Sequence, residues 1–251
     1  MHKVIVLWSH PRSMSTATER VMRERGDLWC AHEPFMYDYY VHRQVARMPH
    51  FDVQDDHPVT YEAIRDMLLE RARQGPVFFK DMAYYVTPQI LSDPAFVDRL
   101  THLFLIRNPV ASILSYYRLD PTMTLEEIGI EAQWRLYEGL RHHGLQPLVI
   151  EAESVQADTV GIMQALWARI GLPFRQDAFE WQSDIPKDWE QVGDWHGAVS
   201  SSAGIRPVDE GEAARKQREF EACAREAPQL QEFLDHHLPF YRNLQAQAMT
   251  V

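Results

Sequence analysis

A chain of 251 residues, 45% hydrophobic, is long enough for one sizeable α/β core, and a single domain over residues 1–251 is the expectation. Asp and Glu outnumber Lys and Arg by 36 to 25, for a formal charge of −11, which argues against nucleic acid, anionic glycans and anionic membrane surfaces as partners. Any bound anion must be held by a local site, where a few cations and backbone donors overcome the long-range field.

Cys30 and Cys223 are the only cysteines, too few for a disulfide scaffold and without the paired spacing of a zinc site. No metal-ligand cluster is visible in the sequence, and no metal is expected. With no leader-like segment and no 18-residue apolar run, the expected location is the cytoplasm, away from the membrane.

In chain order, Val4 to Trp8 is a continuous, β-branched-rich apolar run, the pattern of a parallel strand buried on both faces. Polar residues Ser9 to Ser13 follow, then a helix over Ser15 to Arg25 with Gly26 at its C-terminal cap. Tyr61, Ile64, Leu68 and Ala72 mark one helical face, ended by Gly75-Pro76, and Val77 to Phe79 resumes strand up to Lys80-Asp81. Leu103 to Ile106 leads into Arg107-Asn108-Pro109, where Asn108 suits an N-cap and Pro109 the first helical position. Thr124 and Glu127 have the form of a capping box and predict a helix from there to about Arg141, before strand Leu148 to Ile150. A single helix is expected over Ser154 to Ile170, then a lid or loop over 181–208 carrying Trp181, Trp189 and Trp195, and terminal helices within 209–247. Alternating strands and helices predict an α/β fold with a central parallel sheet covered on both faces.

Ligands of such sheets sit beyond the carboxyl ends of the strands, where a helix N-terminus offers free N–H groups. His10-Pro11-Arg12-Ser13-Met14-Ser15-Thr16 stands there, adding a guanidinium and small hydroxyls suited to phosphate or sulfate. The Gly-x-x-x-x-Gly-Lys-Ser/Thr pattern of ATP-binding loops is absent. PRSMSTATER instead resembles the 5′-phosphosulfate loop of sulfotransferases, with Met14 in place of its glycine. LFLIRNPVASILSYYR is similar to that family's 3′-phosphate motif, an Arg ending a strand and a Ser eight residues on, here Arg107 and Ser115. Ser112, three before Ser115, shares its helix face and could converge on the same phosphate.

The resemblance implies a P-loop-like three-layer fold and sulfuryl transfer from 3′-phosphoadenylyl sulfate to a hydroxyl or amine of a small-molecule acceptor. Arg12, Ser13, Met14, Ser15 and Thr16 would then hold the 5′ side of the donor, with Arg12 also catalytic, while Arg107 and Ser115 grip the 3′ phosphate. VGDWH at 192–196 resembles the family's Gly-Asp-Trp element without the Arg-Lys-Gly that normally precedes it, and Trp195 would either stack on adenine or pack in the core. Met82, in FKDM, stands where many cytosolic members carry a catalytic His. His32-Glu33-Pro34-Phe35 resembles the Glu-Pro element of bacterial members that use a carboxylate base, which makes Glu33 the expected base and His32 the reserve. Aromatic neighbours Phe35, Tyr37, Tyr39 and Tyr40 are expected to raise the pKa of Glu33. The rivals are a P-loop kinase of a small metabolite and a non-catalytic nucleotide-binding protein.

Overall fold

The computed structural model describes residues 2–48, 51–181, 186–191, 202, 204–207 and 209–250. Five parallel strands form one sheet: β1 (Val4–Ser9), β2 (Trp29–His32), β3 (Val77–Met82), β4 (Leu100–Ile106) and β5 (Leu148–Glu151), in the order β2-β3-β1-β4-β5. Alternate residues of the central strand serve opposite cores, as the pleat requires. Val4, Val6 and Trp8 face one hydrophobic cluster, and Ile5 and Leu7 face the other.

The second cluster is covered by α1 (Ser15–Glu24), α7 (Ala152–Ala157) and α8 (Thr159–Ile170), through Val21, Met22, Val155, Leu166 and Trp167. The first is covered by α2 (Tyr61–Gln74), α3 (Ala83–Leu91), α4 (Pro94–Val97), α5 (Pro109–Leu119), α6 (Ile130–His142), α10 (Glu212–Glu226) and α11 (Gln229–Gln245). Between α8 and α10 lies the single described turn α9 (Lys187–Glu190). The result is helix, sheet, helix, the three-layer P-loop-like fold expected from the sequence. Because α1 follows β1 onto one face and α5 follows β4 onto the other, a crevice opens at the carboxyl ends of these two neighbouring strands, where open α/β sheets bind ligands.

Two helix boundaries differ from the sequence expectation. The Thr124–Glu127 capping box forms, with Thr124 N–H on Glu127 Oε2 at 2.8 Å, but it opens only a 3-10 turn, Glu126–Ile128. Gly129 breaks the run at φ 77°, and a Cβ there would meet Tyr84 at 3.0 Å and His10 at 3.3 Å, so only glycine fits before α6 can begin. The helix expected from Ser154 to Ile170 is split at Asp158, whose carboxylate leaves the helical path to accept the Gly161 N–H at 2.9 Å as the N-cap of α8. Among the described residues, no helix is long and apolar enough to cross a membrane.

Candidate functional site

The loop after β1 is built from strained backbone. Arg12 takes φ 61° and Met14 φ 70°, left-handed conformations that cost a residue with a Cβ roughly 1–2 kcal/mol each. Met14 thus follows the path that glycine would take without strain. It supplies no capping side chain, and the first bond of α1 runs from Thr18 N–H to Met14 O at 3.1 Å, so the amides of Ser15, Thr16 and Ala17 precede the intrahelical ladder. Glu33 is a third non-glycine residue at positive φ, 45°, and all three border one cavity of about 260 Å³. Strain of this kind persists where the surroundings hold it, and it concentrates at ligand sites.

On one side of this cavity stand two arginines. Arg107, at the end of β4, donates from its Nη1 to the Arg12 carbonyl at 2.8 Å, and Arg12 donates from Nε to Ser115 Oγ at 3.0 Å. Burial lowers the pKa of both guanidinium groups, and Arg107 lowers that of Arg12 further by its charge. His10 fastens the loop to β4. Burial first, and then the Arg107 charge, push its pKa down to about 3, so its neutral ring donates from Nδ1 to Pro11 O (3.1 Å) and accepts the Arg107 N–H at Nε2 (3.2 Å). Ser13 Oγ and Arg107 Nε are buried without a hydrogen-bond partner among the described residues. Buried polar atoms are nearly always satisfied, so two orphaned polar atoms beside the two guanidinium groups form a cradle that matches an oxyanion.

Arg12, Arg107 and Ser115 also line an adjoining cavity of about 340 Å³, together with Arg118 and Lys216. Sequence reasoning missed these last two. Arg118 lies one turn beyond Ser115 on α5, which the helical period could have revealed, but Lys216 arrives from α10, and nothing in the linear order signals it. Ser112 does not converge with Ser115: it is buried, and its hydroxyl turns back to Pro109 O at 3.3 Å, as serines inside helices often do.

Across the first cavity lies Glu33. Lys80 Nζ donates to its Oε1, the Tyr85 hydroxyl donates to Oε2 at 3.1 Å, and His32 Nε2 stands 3.6 Å from Oε1. Burial alone would raise the pKa of this carboxyl, but Lys80, then His32 and the two hydrogen bonds, outweigh it and hold it below the ordinary value. The aromatic wall therefore does not raise it, because the expectation left out Lys80. The wall itself exists: Tyr40, on the π-helical turn Tyr37–His42, and Tyr84, Tyr85 and Tyr116 line the cavity with Met48 and Met82. Tyr37, Tyr39 and Phe35 lie in the core behind them.

Ser15 and Thr16 line the cavity, and so do Trp181, Ser202, Gly204, Ile205 and Arg206 from the expected lid. Trp195, the whole of 192–196 and most of the rest of that segment fall outside the described residues. Trp189 is buried, with its indole N–H on Glu19 Oε1 at 2.9 Å. Among the described residues, no group of three or more His, Cys, Asp or Glu side chains could hold a metal ion.

A family model described as a sulfotransferase domain matches residues 3–248. Two curated Arabidopsis thaliana relatives, branched-chain-amino-acid aminotransferase-like proteins 2 and 1, are 24% and 26% identical over 217 residues, 81% of this chain. The chain spans 36% of the length of each. Among solved structures it is similar in fold to the sulfotransferase domain from the curacin biosynthetic pathway (TM-score 0.51, 14% identity, covering 82% of this chain and 85% of that one). The sulfotransferase domain from the Synechococcus PCC 7002 olefin synthase gives the same TM-score and coverage at 16% identity.

Proposed function

The chain belongs to the sulfotransferase family, and from that premise we propose that it transfers a sulfuryl group from 3′-phosphoadenylyl sulfate to a hydroxyl or amine of a small-molecule acceptor, with Glu33 as the base. When bound, the donor would supply an activated sulfuryl group, and the phosphate that carried it would depart as the leaving group.

The observation that carries this reading is the partly buried arginine pair with the orphaned Ser13 Oγ and Arg107 Nε, set across one cavity from an ionised carboxylate. Arg12 and the open amides of α1 would neutralise the 5′ side of the donor, where charge grows on the leaving oxygen, and here preorganised donors contribute most. Arg107 and Ser115, joined by Arg118 and Lys216, would hold the 3′ phosphate in the adjoining cavity. Glu33, kept ionised by Lys80, would take the proton of the acceptor. The tyrosine and methionine wall suits an acceptor with an apolar body, and it keeps water from the reacting oxygen. These same residues fit one domain, 1–251.

The test begins with thermal stability. Adenosine 3′,5′-bisphosphate should raise Tm without magnesium, and by more than ATP does, because only the bisphosphate fills both anion sites. Equal shifts from ATP, or a strict magnesium requirement, would favour a kinase. Labelled donor offered to a metabolite extract should then yield sulfated products identifiable by mass, and binding without any product would mean a nucleotide-binding protein.

A further inference from the structure

The carboxylate end of Glu33 is fixed by Lys80 and Tyr85. Lys80 also stands 4.0 Å from Glu19, a buried carboxylate that His32 and Arg23 engage in turn. The backbone end of Glu33 needs a restraint of its own. It takes φ 45° although it carries a Cβ and precedes Pro34, and a residue before proline is ordinarily held extended. Such a conformation persists only where the surroundings impose it.

The restraint comes from the end of β3. The β2–β3 ladder stops at His32 opposite Lys80, and there the chain leaves the sheet. The Glu33 N–H still reaches Lys80 O at 2.8 Å, and the Met36 N–H closes a turn on Glu33 O at 3.0 Å. Pro34 has no N–H to place. The remaining donor of the turn, the Phe35 N–H, goes to a side chain: it donates to Asp81 Oδ2 at 2.8 Å, while Asp81 Oδ1 accepts the Met82 N–H at 3.0 Å. One carboxyl group thus takes a donor from each chain at the point where the two part. Phe35, Met36 and Asp81 are all fully buried, so this bond is shielded from water. Ser9, the last residue of β1, donates from Oγ to the Asp81 carbonyl at 3.0 Å, which ties the same residue to the strand that enters the anion loop.

We propose that Asp81 is a positioning residue for the base: through the Phe35 amide it holds the Glu33-Pro34-Phe35 turn in the path that presents the Glu33 carboxylate to the cavity, across from the arginine pair. This rests on the sulfotransferase reading of that cavity. Asp81 lies behind the cavity wall and acts only through Glu33. Burial first, and then the Glu33 charge, push its pKa well above the ordinary value. The hold on the two amides survives protonation, because a neutral carboxyl keeps acceptor capacity on both oxygens.

The test compares Asp81→Ala, which deletes both acceptor oxygens, with Asp81→Asn, which keeps one, in the full chain. Crystal structures read the position directly: in Asp81→Ala the Glu33 φ should leave the left-handed region and its carboxylate should shift. A displacement of about 1 Å can cost about 100-fold in rate. With labelled donor and benzyl alcohol, whose proton is hard to remove, kcat should therefore fall ~10- to 100-fold in Asp81→Ala, a share of the ~100- to 10,000-fold that a general base contributes. Asp81→Asn should recover part of that loss, and the bisphosphate affinity of both variants should match wild type. Adding Asp81→Ala to Glu33→Gln should slow the enzyme no further, because the first acts through the second. With 4-nitrophenol, already largely ionised in mildly alkaline buffer, the Asp81→Ala loss should disappear. An unmoved Glu33 in the Asp81→Ala structure, losses that multiply in the double variant, equal losses for both acceptors, or a parallel fall in bisphosphate affinity would each overturn the assignment. Wild-type protein supplies a check that needs no variant to fold: the Phe35 amide should exchange with deuterium as slowly as the amides of β3, and exchange at the rate of an exposed loop would refute the bond. If wild type sulfates no acceptor at all, the sulfotransferase reading fails, while the crystal structures still decide whether Asp81 holds Glu33.

Discussion

Replacing Arg107 with methionine should separate the stability of the fold from its affinity for the bisphosphate. The side chain keeps its length and apolar stem but loses a partly buried charge whose presence disfavours protonation of both Arg12 and His10. Against that relief stands one lost hydrogen bond to the Arg12 carbonyl at 2.8 Å, worth about 1 kcal/mol net. The apo Tm should therefore move little. A charge-assisted contact to phosphate contributes ~1.5–3 kcal/mol, so Kd for adenosine 3′,5′-bisphosphate should rise about 12- to 160-fold. At a ligand concentration ~100 times the wild-type Kd, wild type gains about 2.7 kcal/mol, or roughly 5–11 °C in Tm for a chain of this size. The variant, at the same concentration, should gain only ~0.3–1.3 kcal/mol, about 1–5 °C. Differential scanning fluorimetry with and without ligand reads the shift, and calorimetric titration reads Kd. An unchanged ligand shift would remove Arg107 from the anion site, and a large apo destabilisation would mean that the arginine pair is structural rather than held ready for an anion.

Met14→Gly removes a left-handed strain of ~1–2 kcal/mol and restores ~0.5–1 kcal/mol of backbone entropy to the unfolded chain, so thermal melts should show Tm unchanged or a few degrees higher, and a clear fall would contradict the strain. Glu33→Gln should lower kcat by ~100- to 10,000-fold with bisphosphate affinity near wild type; a binding defect alone would make Glu33 structural. Lys216→Ala should weaken adenosine 3′,5′-bisphosphate while leaving AMP binding unchanged, because AMP lacks the 3′ phosphate; equal losses for both ligands would place Lys216 elsewhere. Glu19→Gln breaks a buried charge cluster, at about 3–5 kcal/mol near neutral pH. Since the folded pKa of Glu19 is depressed, its stabilisation is complete above the ordinary value of 4.5 and is lost as pH falls through the lower folded value, so the stability gap between wild type and variant in denaturant melts should narrow below that pH. A gap independent of pH would show that packing, not charge, is lost.

The site was legible in the sequence wherever its chemistry is local. The Val4 to Trp8 run fixes a strand buried on both faces, the PRSMST loop must follow it, and Asn108-Pro109 must start a helix next to Arg107; each follows from neighbouring residues alone. Glu33 could be singled out in the same way, but its ionisation could not, since Lys80 lies 47 residues further along and reaches it only because β2 and β3 pair with His32 opposite Lys80. Ser112 and Ser115 are equivalent by helical period, and only packing decides that one hydroxyl turns to its own backbone while the other meets Arg12. Helix α3, with Thr87 and Pro88 inside and no side-chain cap at its start, carries no local helical signal, yet it delivers Tyr84 and Tyr85 to the cavity because it packs in the core against α6. The sequence by itself determined the parallel sheet, the loop that follows β1 and the identity of the candidate base. Which distant charges meet there, Lys80 on Glu33, Glu19 on His32 and Lys216 beside Arg107, was decided only by tertiary structure, because electrostatic energy depends on distance in space and on burial, neither of which follows from spacing along the chain.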